Sequence, residues 1–322
     1  MIRRSITKTA STPDKYIGAS GTSYWFKELL QERPHLGRVW LAASGEDKFV
    51  LKDIPKDIFD NFNQKIRPRL PKSPYIRMPW DTVPGQRILV YNHLSHNFLS
   101  LVKENISLQA RKQILEATLS GIAGLHDQHI VHLDNIMVDS DDNAQDTMVE
   151  RVQLVDLENA AYLPDGRCIK GMLAGNANWR SPEAHFKGEL NKPADIFSFG
   201  IVCIYAMLGQ VILGPDEDFR KHESQGALPA LIRLQRQVSY FGDPDGIRGL
   251  LNHVADDEIS CQLLQMLWEE RADKNIGYKA FSKWPNVLDS EFKDLIRGLT
   301  NLDPAKRLSA RQALERPWFV QL

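Results

Sequence analysis

The stretch that decides the fold runs from Ile130 to Glu158 and reads IVHLDNIMVD, SDDNAQDTMVER and VQLVDLE. Short apolar runs alternate here with polar segments rich in Asp and Asn. Such alternation predicts short strands joined by polar connections: Ile130–His132, Asn135–Asp139 and Val152–Asp156. The segment therefore belongs to a small group of strands rather than to a helix.

Four polar side chains stand where these strands end: His132, Asp134, Asn135 and Asp156. Two carboxylates and an amide can hold a divalent cation through oxygen ligands, and they can orient a hydroxyl group. This order of residues resembles the catalytic segment of protein kinases, H-R-D-x-x-x-x-N followed by D-F-G. The resemblance implies that Asp134 orients the substrate hydroxyl, that Asn135 and Asp156 bind metal, and that His132 is structural.

The segment also departs from that pattern. Here the first motif is H-L-D with Asn135 directly after it, so four residues of the expected spacing and the lysine among them are missing. Adjacent Cα atoms lie about 3.8 Å apart, whereas a five-residue step spans up to about 17 Å. Asp134 and Asn135 therefore cannot both occupy the family's positions unless a strand is rebuilt. In a second alignment, Asp134 matches the residue before the metal-binding asparagine, which leaves no catalytic base.

Composition sets outer bounds on the function. The chain has 322 residues, enough for two lobes, with 43% hydrophobic and 25% charged residues. A net charge of −1 gives no global bias toward nucleic acid or an anionic membrane. The three cysteines are far apart and form no C-x-x-C motif, which favours a reducing compartment, cytoplasmic or nuclear. We therefore expect a soluble intracellular protein that binds a protein substrate or a protein partner.

One charge-free run, from Ile196 to Leu213, reaches the lower limit for a membrane span. Asp195 directly before it, together with Gly200, Gly209 and Gln210 inside it, favours a buried helix in a large core. The three histidines at His126, His129 and His132 could suggest a metal site. Only the first two share a helix face, and no thiol or carboxylate completes a set of ligands. A metal site formed by these histidines is therefore disfavoured.

Mostly strand-forming segments precede Tyr91 and mostly helical segments follow it. Residues 1–14 are predicted to be a flexible N-terminus, 15–91 an N-terminal lobe and 92–322 a C-terminal lobe. The strands Arg38–Ala43 and Lys48–Lys52 are predicted to form a hairpin with SGED as a four-residue connection. Ser107 is predicted to cap a helix that runs to about Asp127.

Residues in the N-terminal lobe extend the resemblance to kinases. Lys52 ends an apolar strand, as the family's phosphate-binding lysine does, while Gly37 and Val39 match the end of its glycine-rich loop. Asn92 and Leu94 follow the strand RILVY where the family's hinge meets adenine. The two earlier loop glycines are Glu32 and Pro34, and Gln64 stands near the position of the family's helix glutamate. Those three replacements weaken phosphate binding, because Glu repels phosphate, Pro lacks an N–H, and Gln lacks charge.

Three further motifs lie in the C-terminal lobe. Gly175–Glu183 (GNANWRSPE) looks like the end of a kinase activation segment, and DIFSFG from Asp195 matches the head of the family's central helix. Asp303-Pro304-x-x-Arg307 matches its final helices. The resemblance implies that Glu183 pairs with Arg307, and that Asp195 accepts hydrogen bonds from the catalytic-loop backbone. Residues 15–319 thus resemble one protein kinase domain, an α+β bilobal fold with a small strand-rich lobe and a larger helical lobe.

The resemblance implies a serine/threonine protein kinase that uses ATP and Mg²⁺. The shortened catalytic loop predicts slow phosphoryl transfer or none, because an error of about 1 Å in positioning can cost a hundredfold in rate. A pseudokinase that acts as a binding module or scaffold is the alternative. A third explanation is that the gap is an error in the deduced sequence.

Overall fold

The computed structural model describes residues 14–33, 37–104, 106–132, 136–141, 148–272 and 276–320, with the backbone alone at 136–141 and 148. Two compact units divide the chain. The first comprises Met1–Asn61 with Arg77–His93, and the second comprises Phe62–Ile76 with Leu94–Leu322.

An antiparallel sheet of six strands forms the first unit, in the order β1-β2-β3-β4-β6-β5. Its strands are β1 (Lys15–Ile17), β2 (Ser23–Arg33), β3 (Gly37–Ser44), β4 (Asp47–Asp53), β5 (Asp81–Thr82) and β6 (Ile88–Asn92). One face of the sheet packs into a core that includes Tyr24, Trp40, Phe49 and Leu51. Helix α1 (Lys56–Asn61) follows β4.

The β3–β4 hairpin is tighter than the sequence predicted. Ser44 pairs with Asp47, so the connection is a two-residue turn of Gly45 and Glu46, and the expected four-residue connection is wrong. Gly45 adopts a φ of +63°, in the left-handed region. Glycine enters that region without steric cost, which allows the shorter turn.

The second unit is mainly helical. It begins with a π-helical turn (Phe62–Ile66) and a 3₁₀ turn (Arg67–Arg69). Its strands are β7 (His96–Asn97), β8 (Ile130–Val131), β9 (Ile136–Asp141), β10 (Met148–Leu154) and β11 (Ala161–Tyr162). The helices begin with α2 (Phe98–Leu101), α3 (Leu108–Asp127), α4 (Pro182–His185), α5 (Lys192–Leu208), α6 (Glu217–Ser224) and α7 (Pro229–Phe241). They are followed by α8 (Pro244–His253), α9 (Glu258–Glu270), α10 (Ser290–Leu299), α11 (Ala310–Leu314) and α12 (Pro317–Val320). Further 3₁₀ turns occupy Val102–Glu104, Leu157–Asn159, Phe281–Lys283 and Pro304–Lys306.

Two long helices, α3 and α5, pack against each other and carry the functional segments. The predicted α3 is present, with the Ser107 hydroxyl accepting a hydrogen bond from the Ala110 N–H at its start. Helix α5 begins at the Asn191 cap and ends at Gly209, whose φ is +67°. Most of α5 is buried, as expected of a helix that carries no charge after its first turn and packs in a protein core. Among the described residues, no helix is long and apolar enough to cross a bilayer.

Candidate active site

Asp195 organises the helical side of the candidate site. It lies in the first turn of α5, and it is 3% exposed. Its Oδ2 accepts a hydrogen bond from the backbone N–H of His132 at 2.9 Å and another from His126 Nε2 at 2.8 Å. A buried carboxylate must be neutralised by donors in this way, because desolvation of an unpaired charge is costly. The bond from His132 is the one that the kinase resemblance implied for Asp195.

His132 links this anchor to the strand that leads into Asp156. Its ring Nε2 donates to the carbonyl oxygen of Val155 at 2.7 Å, which fixes both the tautomer and the ring orientation. The backbone is therefore held on both sides of the predicted catalytic residues Asp134 and Asn135. His132 is held at one end by Asp195, and Val155, directly before Asp156, is held at the other.

The backbone of Asp156 is unusual. Its φ of +63° and ψ of +27° lie in the left-handed region, and the 3₁₀ turn Leu157–Asn159 follows directly. Aspartate enters this region more readily than most non-glycine residues, and such conformations concentrate at functional sites. Leu157 and Glu158, which replace the Phe and Gly of the family pattern, are both buried.

The predicted catalytic Asp134 and the predicted metal ligand Asn135 lie outside the described residues. Their roles stay predictions. Residues 142–147, which follow β9 and precede β10 in the chain, also lie outside them. Among the residues that are described, no cluster of three or more His, Cys, Asp or Glu side chains could hold a metal ion.

In the first unit, strand register places two of the predicted nucleotide-binding residues, Val39 and Lys52, on one face of the sheet. Val39 lies opposite Lys52, and Val50 lies opposite Tyr91. Directly opposed side chains in antiparallel strands project to the same face. The Lys52 ammonium is 5.3 Å from the centre of the Tyr91 ring, and Lys52 is only 7% exposed. Lys52 is therefore a buried lysine beside an aromatic ring. It is not the solvent-exposed lysine that is common at the end of an edge strand.

Gly37 has a demonstrable structural reason to be glycine. Its φ is +91°, and a Cβ placed on it would lie 1.9 Å from the carbonyl oxygen of Asp53. The approach of β3 to the end of β4 therefore excludes any side chain here. On the neighbouring strand Glu32 forms an ion pair with Arg38 at 2.8 Å. Pro34 lies outside the described residues, and Gln64 is exposed in the π-helical turn.

The predicted hinge residues occupy different settings. Asn92 is the exposed last residue of β6, and its carbonyl oxygen accepts a hydrogen bond from the Arg77 guanidinium. That guanidinium also lies 4.9 Å from the centre of the Tyr91 ring. Leu94 is buried in the second unit. Sequence reasoning missed Arg77, because a lone arginine in this stretch belongs to no motif.

Glu183 and Arg307 form a buried, bidentate ion pair. The two guanidinium nitrogens lie 2.6 and 2.7 Å from the two carboxylate oxygens. Burial raises the pKa of the Glu183 carboxyl, but the charge and hydrogen bonds of Arg307 outweigh burial and leave that pKa below its usual value. Arg307 also donates to the carbonyl oxygens of Asn301, Pro193 and Leu302, so its remaining donors are satisfied. The pair joins α4 to the turn before α11, as the resemblance implied.

His126 is a second residue whose part the sequence did not reveal. The spacing of three histidines raised the question of metal binding, whereas the structure uses two of them around Asp195. The sequence did contain one feature that could have pointed to His126. It lies in the last turn of a long helix, shortly before the His-x-Asp motif. The partner, 69 positions away, could not be read from that spacing.

Comparison with known proteins places the chain in a family. A family model described as the protein kinase domain matches residues 84–319. The human dual specificity protein kinase CLK1 is 23% identical over 274 residues, which cover 75% of this chain and 52% of that protein. The Arabidopsis thaliana serine/threonine-protein kinase AFC2 is 20% identical over 277 residues, which cover 75% of this chain and 61% of that protein.

Shorter matches reach higher identity. The Saccharomyces cerevisiae serine/threonine-protein kinase CLA4 is 33% identical over 97 residues, 30% of this chain and 11% of that protein. This chain thus spans about a tenth of the length of CLA4, and between half and two thirds of the lengths of CLK1 and AFC2.

The fold has a counterpart among solved structures. The yeast RNA Pol II CTD kinase CTDK-1 complex contains a chain that matches with a TM-score of 0.70 and 17% identity, over 99% of this chain and 97% of that chain. The predicted α+β, bilobal kinase-like fold is therefore confirmed. Because the family model covers residues 84–319 in addition to this likeness of fold, the protein belongs to the protein kinase superfamily.

Proposed function

We propose that this protein binds ATP with Mg²⁺ and transfers a phosphoryl group to serine or threonine hydroxyls of a protein substrate, at a rate reduced by its shortened catalytic loop. The observation that carries the proposal is the 2.7 Å hydrogen bond from His132 to the Val155 carbonyl. This bond, with the Asp195 anchor, fixes the chain on both sides of the proposed catalytic residues. Phosphoryl transfer in this family depends mainly on such positioning and on electrostatic stabilisation.

The residues present suit a magnesium–nucleotide complex in their chemistry. Asp156 offers carboxylate oxygens, which Mg²⁺ prefers, and Lys52 offers a point charge for phosphates. Bound Mg²⁺ would neutralise phosphate charge. We assign Asp156 and Asn135 to metal binding and Asp134 to orienting the nucleophile. Backbone groups of Asn92 and Leu94 are assigned to the adenine, and Gly37 and Val39 to the loop above the phosphates.

Serine or threonine as the acceptor residue is supported by the relatives. CLA4 and AFC2 are named serine/threonine-protein kinases, and CLK1 is named a dual specificity protein kinase. Each of these proteins is distant or matched over a short stretch, so the acceptor residue belongs to the proposal.

A scaffold without phosphoryl transfer is the second candidate. The observation that favours it is the replacement of residues that the family pattern uses to bind phosphate. Glu32 carries a negative charge where the family pattern has glycine, and Gln64, which stands near the family's acidic helix residue, is exposed. A pseudokinase of this kind would keep the fold and its buried ion pairs and would use its surface for binding.

One experiment separates the two candidates. Thermal unfolding is measured with and without Mg²⁺ and ATP, and transfer of radioactive phosphate to casein is then measured in the same buffer. An enzyme gives a rise in Tm with both components and incorporation that Asp156→Asn abolishes. The matched control is Asp165→Asn, which removes an exposed carboxylate from the same segment. Binding without transfer identifies the scaffold, and a Tm indifferent to the nucleotide contradicts the proposed ATP site.

The length of the catalytic loop has its own test. Trypsin releases one peptide from Gln113 to Arg151, because no Lys or Arg lies between them. The mass of this peptide, measured on protein from the native source, shows whether Asn135 directly follows Asp134 in the native chain. A mass larger by four residues restores the full spacing and favours an ordinary, fast kinase.

A further inference from the structure

The segment between Asp156 and Ser181 has an unusual composition. It contains no serine or threonine, and its one hydroxyl side chain is Tyr162. In kinases, phosphorylation of this segment commonly orders it through new pairs between phosphate and arginine. Leu133 stands where the family motif H-R-D has its arginine. The segment therefore offers one possible phosphate acceptor, Tyr162, and the motif before it lacks its arginine.

The first part of the segment is held by strand pairing. Tyr162 pairs with Ile130 between β11 and β8, and the N–H of Leu163 donates to the carbonyl oxygen of His129 at 2.7 Å. The guanidinium of Arg69 lies 4.1 Å from the centre of the Tyr162 ring. The one possible phosphate acceptor is thus already engaged on both its backbone and its ring.

The middle of the segment is tied to the loop before α5. Ile169 and Leu190 exchange two backbone hydrogen bonds, at 3.0 and 2.8 Å, and the N–H of Gly171 donates to the carbonyl oxygen of Lys187 at 2.8 Å. The Lys170 ammonium lies 2.5 Å from Asp256 and 3.4 Å from Glu189. These surface ion pairs add little energy by themselves, whereas the backbone bonds fix the register.

Arg180 holds the last part. Its Nε donates to the carbonyl oxygen of Ala174 at 2.7 Å, and its Nη2 donates to that of Gly175 at 2.6 Å. Its own carbonyl oxygen accepts from the Gln237 side chain at 2.7 Å. Nearby, Arg233 donates through two nitrogens to the Asn178 side chain at 3.2 and 3.1 Å. Arg180 and Arg233 thus donate to oxygen atoms of the segment itself. In a kinase whose segment is ordered by phosphorylation, phosphate oxygens would accept such hydrogen bonds from arginine instead.

We propose that the segment from Tyr162 to Arg180 is held in one conformation by the unphosphorylated chain itself, with Arg180 as the positioning residue. The protein is therefore not switched by phosphorylation of this segment. This inference goes beyond the proposed function, because it concerns conformation and holds for an enzyme or a scaffold. The inference is tested without measuring catalysis. A negative result for the inference can therefore be told apart from a negative result for the proposed function.

Hydrogen exchange followed by mass spectrometry tests the proposal on the full chain. Protein treated with phosphatase is compared with protein phosphorylated by a broad-specificity kinase mixture, and intact mass reports the phosphate carried by each. The amides of Ile169, Gly171 and Leu190 are expected to be protected equally in both. Protection that appears only in phosphorylated protein overturns the proposal.

A pair of variants tests Arg180 itself. Arg180→Gln is expected to speed exchange of amides 171–178 by at least about fivefold, the effect of losing one net hydrogen bond. Arg167→Gln, an exposed arginine of the same segment, is expected to leave exchange unchanged. If Arg180→Gln does not fold, Gln237→Met removes the bond to the Arg180 carbonyl and is expected to act in the same direction. Exchange in the folded Arg180→Gln or Gln237→Met protein that matches wild type overturns the proposal.

Discussion

His132 Nε2 lies 2.7 Å from the carbonyl oxygen of Val155, so one histidine ring joins the residue before the catalytic segment to the residue before Asp156. The same histidine is held through its backbone by Asp195. The proposed catalytic residues Asp134 and Asn135 therefore lie between two residues, His132 and Val155, that this hydrogen bond joins.

Restoring four residues between Asp134 and Asn135, with a lysine as the second of them, is expected to raise kcat by at least about 100-fold. The reason is that Asp134 and Asn135 can then occupy separate positions, and misplacement by about 1 Å costs about that factor. Phosphate transfer to casein measures the effect. The same insertion with alanine instead of lysine, and the lysine insertion combined with Asp156→Asn, serve as controls. An unchanged rate in a folded insertion variant would show that the shortened loop is not what limits transfer.

Arg307→Met is expected to lower the free energy of unfolding by about 3–5 kcal/mol, because it leaves the Glu183 carboxylate buried without its counter-charge. Urea denaturation at neutral pH measures the loss. Arg311→Gln removes the guanidinium that pairs with Asp127 at the surface, and it is expected to change stability by no more than the error of the measurement. Equal effects of the two variants would contradict the structural role of the buried pair.

Gly37→Ala is expected to destabilise the first unit by about 2 kcal/mol or more. The added Cβ would lie 1.9 Å from the Asp53 carbonyl oxygen, and an L-residue at this positive φ is strained as well. Gly45→Ala carries only the strain, because no atom lies within 4 Å of its Cβ position. Thermal unfolding of the two variants side by side separates the contact from the strain, and equal losses would show that the contact costs nothing.

His185→Gln is expected to reduce the acid sensitivity of the protein between about pH 4.5 and 6.5. Burial, with the charges of Arg180 and Arg233 acting in the same direction, lowers the pKa of His185 to about 3. Below about pH 6.5, His185 therefore binds a proton in the unfolded chain but stays unprotonated in the folded protein until the pH approaches 3. Wild-type stability should fall with decreasing pH by at most about 1.4 kcal/mol per pH unit from this group.

Urea denaturation across that range tests the expectation, with His222→Gln as the control for removing a histidine from the same unit. The lowered pKa of Glu183 acts in a lower window. Its contribution is complete above about pH 4.5 and is lost as the pH falls through the folded-state value, so it does not interfere. A slope that is the same in wild type and His185→Gln would contradict the buried, neutral state of His185.

Local patterns predicted the long elements well. Helix α3 follows from the Ser107 cap and its apolar spacing, and α5 from a charge-free run between Asp195 and Gly209. Local patterns failed on the connection between β3 and β4, where glycine allowed a turn shorter than expected. They also could not show that the chain changes from helix α1 to a π-helical turn at Phe62, where Phe62 and Ile66 are buried by tertiary packing.

By itself, the sequence determined the family, because several short motifs occur in one order along the chain and each needs a particular residue type. It also showed that Asn135 directly follows Asp134, where the family pattern has four residues between the two. Only the tertiary structure decided which partners serve those residues. His126 and Asp195 are 69 positions apart, and the Gln237 side chain that donates to the Arg180 carbonyl oxygen lies 57 positions from it. Such pairings depend on how helices and loops pack, and no periodicity within either segment encodes the distance between them.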